Sequence, residues 1–232
     1  MADNRNLISR LRVRTASARS IAVVGLGRFG SSLALTLRDI GHEVLGIDTD
    51  ATLVARYADE LTSVVQADST DVEALRQLGV GDLEHAVVAI GSHLESSVLT
   101  TAAIADLGVP DIWAKAVTTQ HARILERVGA NHVVLPELEM GRRVAHLVTG
   151  QAVEYMRLDD SWALVETDAP RVLVGRTLGG SSIRQTYGVT VVCIKPADGQ
   201  FTYATADTEV APGDLLLVAG PIARAEAFAE LE

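Results

Sequence analysis

Three glycines and one acid carry the first chemical signal in this chain. Gly25, Gly27 and Gly30 stand in the run Gly25-Leu26-Gly27-Arg28-Phe29-Gly30, directly after the apolar stretch Ile21-Ala22-Val23-Val24. In a strand–turn–helix unit each glycine has its own mechanical task. The first makes the tight turn, the second lets backbone approach a phosphate, and the third lets helix and strand pack closely. A helix starting near Arg28 aims unpaired N–H groups and its positive dipole end at the anion. Asp48 ends the next apolar strand, roughly 20 residues beyond the glycines, where a carboxylate accepts ribose hydroxyls and disfavours a 2′-phosphate. A glycine turn that merely eases packing is the plainer alternative. Strand, glycines, helix, strand and acid in this order favour nucleotide binding.

Further polar residues fall where such a crevice would open. Arg28 lies inside the glycine loop, and its planar fork suits a terminal phosphate on its own chain or across an interface. Asp68 closes the third strand, facing either the ribose–adenine rim or the start of a helix. Lys115 is a cation within an apolar strand, so it needs a partner, water or an outlet at the strand end. Glu137 follows Pro136 and is either a first-turn acid of the next helix or a carboxylate facing a ligand-bound cation.

The elements that must hold these residues are legible as a period-switching pattern. After the two strands flanking the glycine loop, further strands are expected at 63–67, 85–90, 112–117 and 132–135. Thr70 with Glu73, and Ser92 with Glu95, read as capping boxes that open the third and fourth helices, closing near Gly79 and Gly108. A fifth helix spans 119–128 and stops at Gly129. Six strands alternating with five helices make an α/β, Rossmann-like doubly wound parallel sheet over residues 19–136. An amphipathic helix follows at 137–149, with Leu138, Val144, Leu147 and Val148 apolar and Gly150 as its stop. Residues 151–232 then read as a small α+β domain, with strands at 153–158, 162–166, 189–195 and 214–219. One helical stretch near 181–186 and a closing helix after Pro221 complete it.

Composition narrows the class. The chain has 232 residues, 48% hydrophobic and 22% charged, which reads as globular. Net charge is −10, against a general affinity for nucleic acid. Residues 1–18 form a basic extension. With Arg19 included, Arg5, Arg10, Arg12 and Arg14 face only Asp3, a local +4 that leaves −14 for the remainder. Such an arm is either a solvated tail or a contact for anionic lipid or an acidic partner. No apolar run reaches the roughly 18–20 residues of a membrane span, and no apolar secretory core follows Met1. The expected compartment is cytoplasmic, with the single Cys193 buried in a strand and inert.

The catalytic set of a nicotinamide dehydrogenase is missing. Such an enzyme needs an acid/base and substrate-orienting cations near the nicotinamide. The second region has no histidine and one lysine, Lys195. His42, His85, His93, His121, His132 and His146 read as surface or strand-flank residues, and GxSxG, HExxH, CxxC and GxxxxGK[ST] are all absent. The nucleotide therefore reads as a signal to be sensed, not a reagent, and the protein as a non-enzyme. An NAD(P)-dependent oxidoreductase or a redox-sensing nucleotide-binding module is the alternative.

Together these motifs resemble the regulatory subunits of bacterial Ktr/Trk potassium-uptake systems, built from RCK (KTN) domains. The resemblance rests on VVGLGRFGSSLA, GHEVLGIDTD, QADSTD, VVAIGS, IWAKA and LPE followed by Met140-Gly141, then on IRQTYGVTV and APGDLLLVAG. The phenylalanine Phe29 after the loop arginine is more specific than the generic glycine fingerprint. The resemblance implies an N-lobe, a crossover helix at 137–150 and an RCK C-lobe, forming dimers and an octameric ring beneath a membrane-embedded potassium channel subunit. It implies ATP or ADP, and in some members NAD(H), bound in the N-lobe. By position Gly25, Gly27 and Gly30 match the phosphate loop, Asp48 the ribose acid and Arg28 the γ-phosphate contact. Phe29, Asp68, Ser92 and Lys115 join them as cofactor-contacting residues. Glu137 matches a glutamate associated with Mg2+ or another cation at the nucleotide dimer interface. Arg184 matches an arginine of a cyclic di-AMP site found in some C-lobes, although Gly179, Gly180 and Ser182 depart from that pattern.

Overall fold

The alternation of apolar residues along β1 (Ser20–Val24) determines how the first part of the chain is layered. Val23 points into one buried cluster with Leu26, Ala34, Val44, Tyr57 and Leu61. Ala22 and Val24 point into another with Ile47, Leu75, Ile104, Ile112 and Leu125. Side chains of period two thus serve a core on each face of a sheet. The computed structural model describes residues 19–148 and 154–231. The chain divides into two compact units, one ending at Pro136 and the other beginning at Glu137.

In the first unit β1 is joined by β2 (Glu43–Asp48), β3 (Ser63–Gln66), β4 (His85–Val88), β5 (Asp111–Lys115) and β6 (His132–Val134). All neighbours pair in parallel, in the order β3-β2-β1-β4-β5-β6. The connections are α1 (Arg28–Asp39), α2 (Ala51–Tyr57), α3 (Val72–Gln77), α4 (Leu94–Asp106) and α5 (Thr119–Arg127). Strand order reverses between β1 and β4, which opens a crevice beyond their carboxyl ends.

The doubly wound sheet is as the sequence pattern predicts, and α1 and α5 start where expected, but α3 and α4 do not. Asp71, not Thr70, caps α3: its carboxylate accepts from the backbone N–H of Glu73 (2.9 Å) and Ala74 (3.4 Å). Thr70 is committed elsewhere, donating through N and Oγ1 to Asp68 at 2.9 and 2.7 Å. Ser92 lies one residue outside the cap of α4, a position held by His93 without any side-chain hydrogen bond. His121 also departs from expectation. It is not a surface residue but 1% exposed inside α5.

The second unit contains α6 from Glu137 onward (the helix spans Pro136–Val148), β7 (Glu154–Arg157), β8 (Trp162–Asp168) and α7 (Ile183–Tyr187). They are followed by β9 (Thr190–Lys195), β10 (Thr202–Tyr203), β11 (Leu215–Pro221) and α8 (Ile222–Ala229). The strands form an antiparallel sheet in the order β10-β9-β11-β8-β7. Val165, Leu173, Leu216, Val218 and Phe228 fill its core, with Tyr187 edge-on to Phe228 at 5.4 Å. Strand β10 and the 3-10 turn Arg171–Leu173 carry too little periodicity to be read in advance. Cys193 is half-buried on β9, less enclosed than its strand context suggests. The expected helix stop at Gly150, the strand start at Val153 and the basic extension 1–18 lie outside the described residues. Among the described residues no helix is long and apolar enough to cross a membrane.

Candidate functional site: a crevice at the strand switch point

Beyond the end of β1 the backbone turns at Gly25, whose φ of +92° suits a residue without a side chain. Its N–H donates to Ile47 O at 2.8 Å, carrying the β1–β2 pairing into the turn. A Cβ on Gly30 would lie 1.8 Å from Gly25 O, so only glycine lets α1 approach the strand this closely. Gly27 is different: a Cβ there meets nothing within 4 Å. It is the N-cap of α1, with no side-chain cap and no acidic residue in the first turn. The N–H groups at this helix start therefore have no side-chain cap, the arrangement that suits an anion.

Asp48 ties the two sides of the turn together. Its Oδ2 accepts from Leu26 N at 2.6 Å and its Oδ1 from Asp50 N at 2.8 Å. Each oxygen retains a further lone pair for a hydroxyl. One carboxylate can thus shape the glycine loop and still receive a ribose. Asp50 caps α2 by accepting from Thr52 N, and Asp68 accepts from Thr70. Hydrogen bonds from those threonines hold both carboxyl groups below their usual range. This flank of the crevice is therefore negative at neutral pH.

On the other side of the switch point the ends of β4 and β5 supply a cation. Lys115 is only 9% exposed, and its Nζ lies 5.5 Å from the centre of the Phe29 ring. A Cβ added to Gly91 would sit 3.1 Å from that Nζ, so the glycine after β4 makes room for the lysine. Arg28 is exposed at the first position of α1, and Ser92 is exposed next to Gly91. The structure thus brings Gly25, Gly27, Gly30, Phe29, Asp48 and Lys115 to one crevice, with Arg28 and Ser92 at its mouth and Asp68 on the β3 flank.

Glu137 and Arg184 belong to the second unit. Glu137 is exposed in the first turn of α6, and among the described residues no three His, Cys, Asp or Glu side chains gather as a metal site. Arg184 is exposed on α7 and donates through Nε to Thr190 Oγ1 at 3.1 Å. Two contributors escaped the sequence reading. The Leu26 N–H is backbone and leaves no residue signal, whereas Gly91 was readable as a glycine closing an apolar strand.

Residues 21–136 match the TrkA-N domain, and residues 162–232 match the TrkA-C domain. The chain belongs to the TrkA-N/TrkA-C family. Among its relatives is Ktr system potassium uptake protein C of Bacillus subtilis, 37% identical over 205 residues, covering 88% of this chain and 93% of that protein. Ktr system potassium uptake protein A of Vibrio alginolyticus is 31% identical over 204 residues, covering 88% and 93%. In structure the TrkA-N/TrkA-C chain is similar to the GsuK RCK domain, with a TM-score of 0.64 at 19% identity over 93% of this chain. It is similar also to the GsuK channel bound to NAD, with a TM-score of 0.65 at 20% identity over 97% of this chain. It spans 48% and 42% of those two chains, less than half of either. At that identity the likeness shows the fold alone.

Proposed function

We propose that this chain is the nucleotide-sensing regulatory subunit of a potassium uptake system. The observation that carries the reading is the open, uncapped start of α1 at Gly27, set beside a ribose-competent Asp48. Its relatives are potassium uptake proteins of Ktr systems, matched over nearly their whole length. ATP and ADP are the proposed ligands, with NAD(H) as the further candidate; the GsuK channel, which shares the fold, was solved bound to NAD.

In this reading the glycine loop holds the phosphates, Asp48 the ribose and Asp68 the adenine side. Arg28 meets the terminal phosphate while Phe29, Ser92 and Lys115 line the remainder. Glu137 would meet Mg2+ or another cation at the nucleotide dimer interface, and Arg184 marks where cyclic di-AMP would bind. The N-terminal nucleotide-binding domain covers residues 19–136, the crossover helix 137–150 and the C-terminal domain 151–232. Copies assemble as dimers and an octameric ring on a membrane-embedded channel subunit at the inner face of the cell membrane. Exchange of ATP for ADP changes the ring and thereby potassium flow, which requires contacts that differ between the two states.

A thermal-shift series with ATP, ADP, NADH, cyclic di-AMP and divalent ions tests this. A ligand at one hundred times its Kd adds about 2.7 kcal/mol to the folded state, enough to raise Tm by several degrees. Adenine nucleotides should give that rise, and Asp48→Ala should remove most of it. No rise with any adenine nucleotide would overturn the reading, and steady NAD(P)H turnover with a carbonyl substrate would favour an oxidoreductase instead.

A further inference from the structure

Among the described residues two buried side-chain polar atoms lack a hydrogen-bond partner, Ser97 Oγ on α4 and His121 Nε2 on α5. Ser97 is 0% exposed and His121 1%. An unmatched buried donor or acceptor is costly, so two of them on adjacent helices call for a common explanation. Helices α4 and α5 return from neighbouring strands of a parallel sheet, so they run side by side in one direction. Near their far ends a Cβ on Gly129 would sit 2.6 Å from Ala105 Cβ. Ser97 stands eight residues before Ala105, and His121 eight before Gly129. The two orphaned atoms thus belong to the opening turns of their helices, at one height, next to the carboxyl ends of β4 and β5.

His121 reaches the end of β5 directly. The N–H of Ala116 donates to Val134 O at 2.8 Å, the last rung to β6. The next N–H, of Val117, donates to His121 Nδ1 at 3.4 Å. A backbone N–H only donates, so Nδ1 presents its lone pair. Burial disfavours the charged imidazole, and a neutral ring with Nδ1 bare carries its hydrogen on Nε2. That N–H needs an acceptor, and a serine hydroxyl can be one. The place of His121 itself is set by the cap of α5, where its backbone N–H donates to Thr118 Oγ1 at 3.1 Å. Lys115 and Val117 close round one point: a Cβ on Gly91 would meet Lys115 Nζ at 3.1 Å and Val117 Cγ1 at 3.6 Å.

We propose that His121 is a positioning residue of the crevice, holding the Val117 backbone through Nδ1 and joined at Nε2 to Ser97 Oγ through one shared water. Waters of this kind take up buried polar groups that do not reach one another. The chain of contacts from Ser97 through His121 to Val117 fixes the path of the backbone leaving β5. It thereby fixes the Lys115 ammonium, two residues earlier, against Phe29. That this ammonium serves a nucleotide rests on the proposed function; its placement by His121 does not.

The chain has two lysines, Lys115 and Lys195, so isotope labelling at lysine Cε gives two methylene signals in the full-length protein, which Lys195→Arg assigns. The ring current of Phe29 displaces the Lys115 signal, and Phe29→Leu gives its undisplaced position. His121→Gln supplies no acceptor at Nδ1 and should move the signal toward that position. His121→Asn, whose Oδ1 takes the place of Nδ1, should restore most of the wild-type displacement, and Ser97→Ala should lose part of it. Amide hydrogen exchange at Val117 should quicken in His121→Gln and Ser97→Ala, while that at Ala116 stays as in wild type. With ADP as the probe, His121→Gln should bind up to about tenfold more weakly, the worth of one lost hydrogen bond. A Lys115 signal and a Val117 exchange rate unmoved in both variants overturn the proposal, as does equal displacement by Gln and Asn. Wild type that ignores ADP, with the Lys115 and Val117 responses present, supports the positioning and removes the nucleotide reading. Ser97→Ala deletes only a hydroxyl, so it decides the matter even if the His121 variants fail to fold.

Discussion

At the scale of single residues, Gly27 and Gly30 separate binding from folding. A methyl group at Gly30 collides with Gly25 O at 1.8 Å, and that oxygen belongs to the backbone and cannot swing aside. Gly30→Ala should therefore cost on the order of 3 kcal/mol or more, seen as a large drop in Tm or as insoluble protein. At Gly27 the same methyl meets nothing, yet on the proposed reading it projects where the phosphate binds. Gly27→Ala should leave the Tm of the free protein nearly unchanged and weaken adenine nucleotides at least about tenfold, or roughly 1.4 kcal/mol, by calorimetry. Equal affinities would remove Gly27 from the site. Two titratable groups, the buried His121 and the half-buried Asp111, make the stability of the fold depend on pH in different windows. Burial alone pushes the His121 imidazole down. Its contribution is present above the unfolded value of about 6.5 and is lost as pH falls through the lower folded value. For Asp111 burial works the other way. Hydrogen bonds from His85 and Trp113 and the charge of His132 outweigh it, so the carboxyl titrates below its usual range. That contribution is present above about pH 3.9 and disappears below it. The Tm of His121→Leu should accordingly vary less than wild type between about pH 7 and 5, and that of Asp111→Asn less below about 4. Parallel curves for a variant and wild type would refute its assignment.

At the scale of elements, local signals were read well where chemistry allows one solution and poorly where several residues compete. The glycine loop admits a single geometry, so its strand, turn and helix were legible to within a residue. The starts of α3 and α4 were not, because acceptors crowd them: Asp71 took the role expected of Thr70, and His93 stands at a cap with no acceptor in use. The longer strands of the second unit were found from strand-rich runs between turn signals, but two-residue β10 is too short to show one. Ser182 exposes a further local conflict. It precedes α7 with φ +46° and ψ +37°, the left-handed region, without a side-chain cap hydrogen bond. A non-glycine residue there costs about 1 kcal/mol relative to glycine. Ser182→Gly should therefore raise stability by up to about 1 kcal/mol, measured by urea unfolding with an unchanged slope. A loss of stability would mean that the serine side chain contributes more than its backbone costs.

At the scale of the whole molecule, linkage provides the severest test of a sensing role. The sequence carried the two-part organisation in its change from βα alternation to strand-rich text, but it carried no measure of coupling, which is a property of populations. If ATP and ADP favour different association states of the chain, association must in turn change their relative affinity by the same factor. Couplings of this kind are typically about 5–150-fold. The ratio of ATP to ADP affinity should then vary with protein concentration, as dilution moves the chain between its association states. Arg28, exposed at the first position of α1, is the side chain best placed to tell a terminal phosphate from its absence. In Arg28→Ala that ratio should approach one and stop responding to concentration, while ADP affinity changes little. Competition titrations with a fluorescent adenine nucleotide across a wide range of protein concentration measure both quantities. A wild-type ratio that stays constant while the chain dissociates would leave nucleotide identity uncoupled from assembly. A constant ratio of that kind is incompatible with gating by ring shape, whatever the affinity of the crevice for either nucleotide.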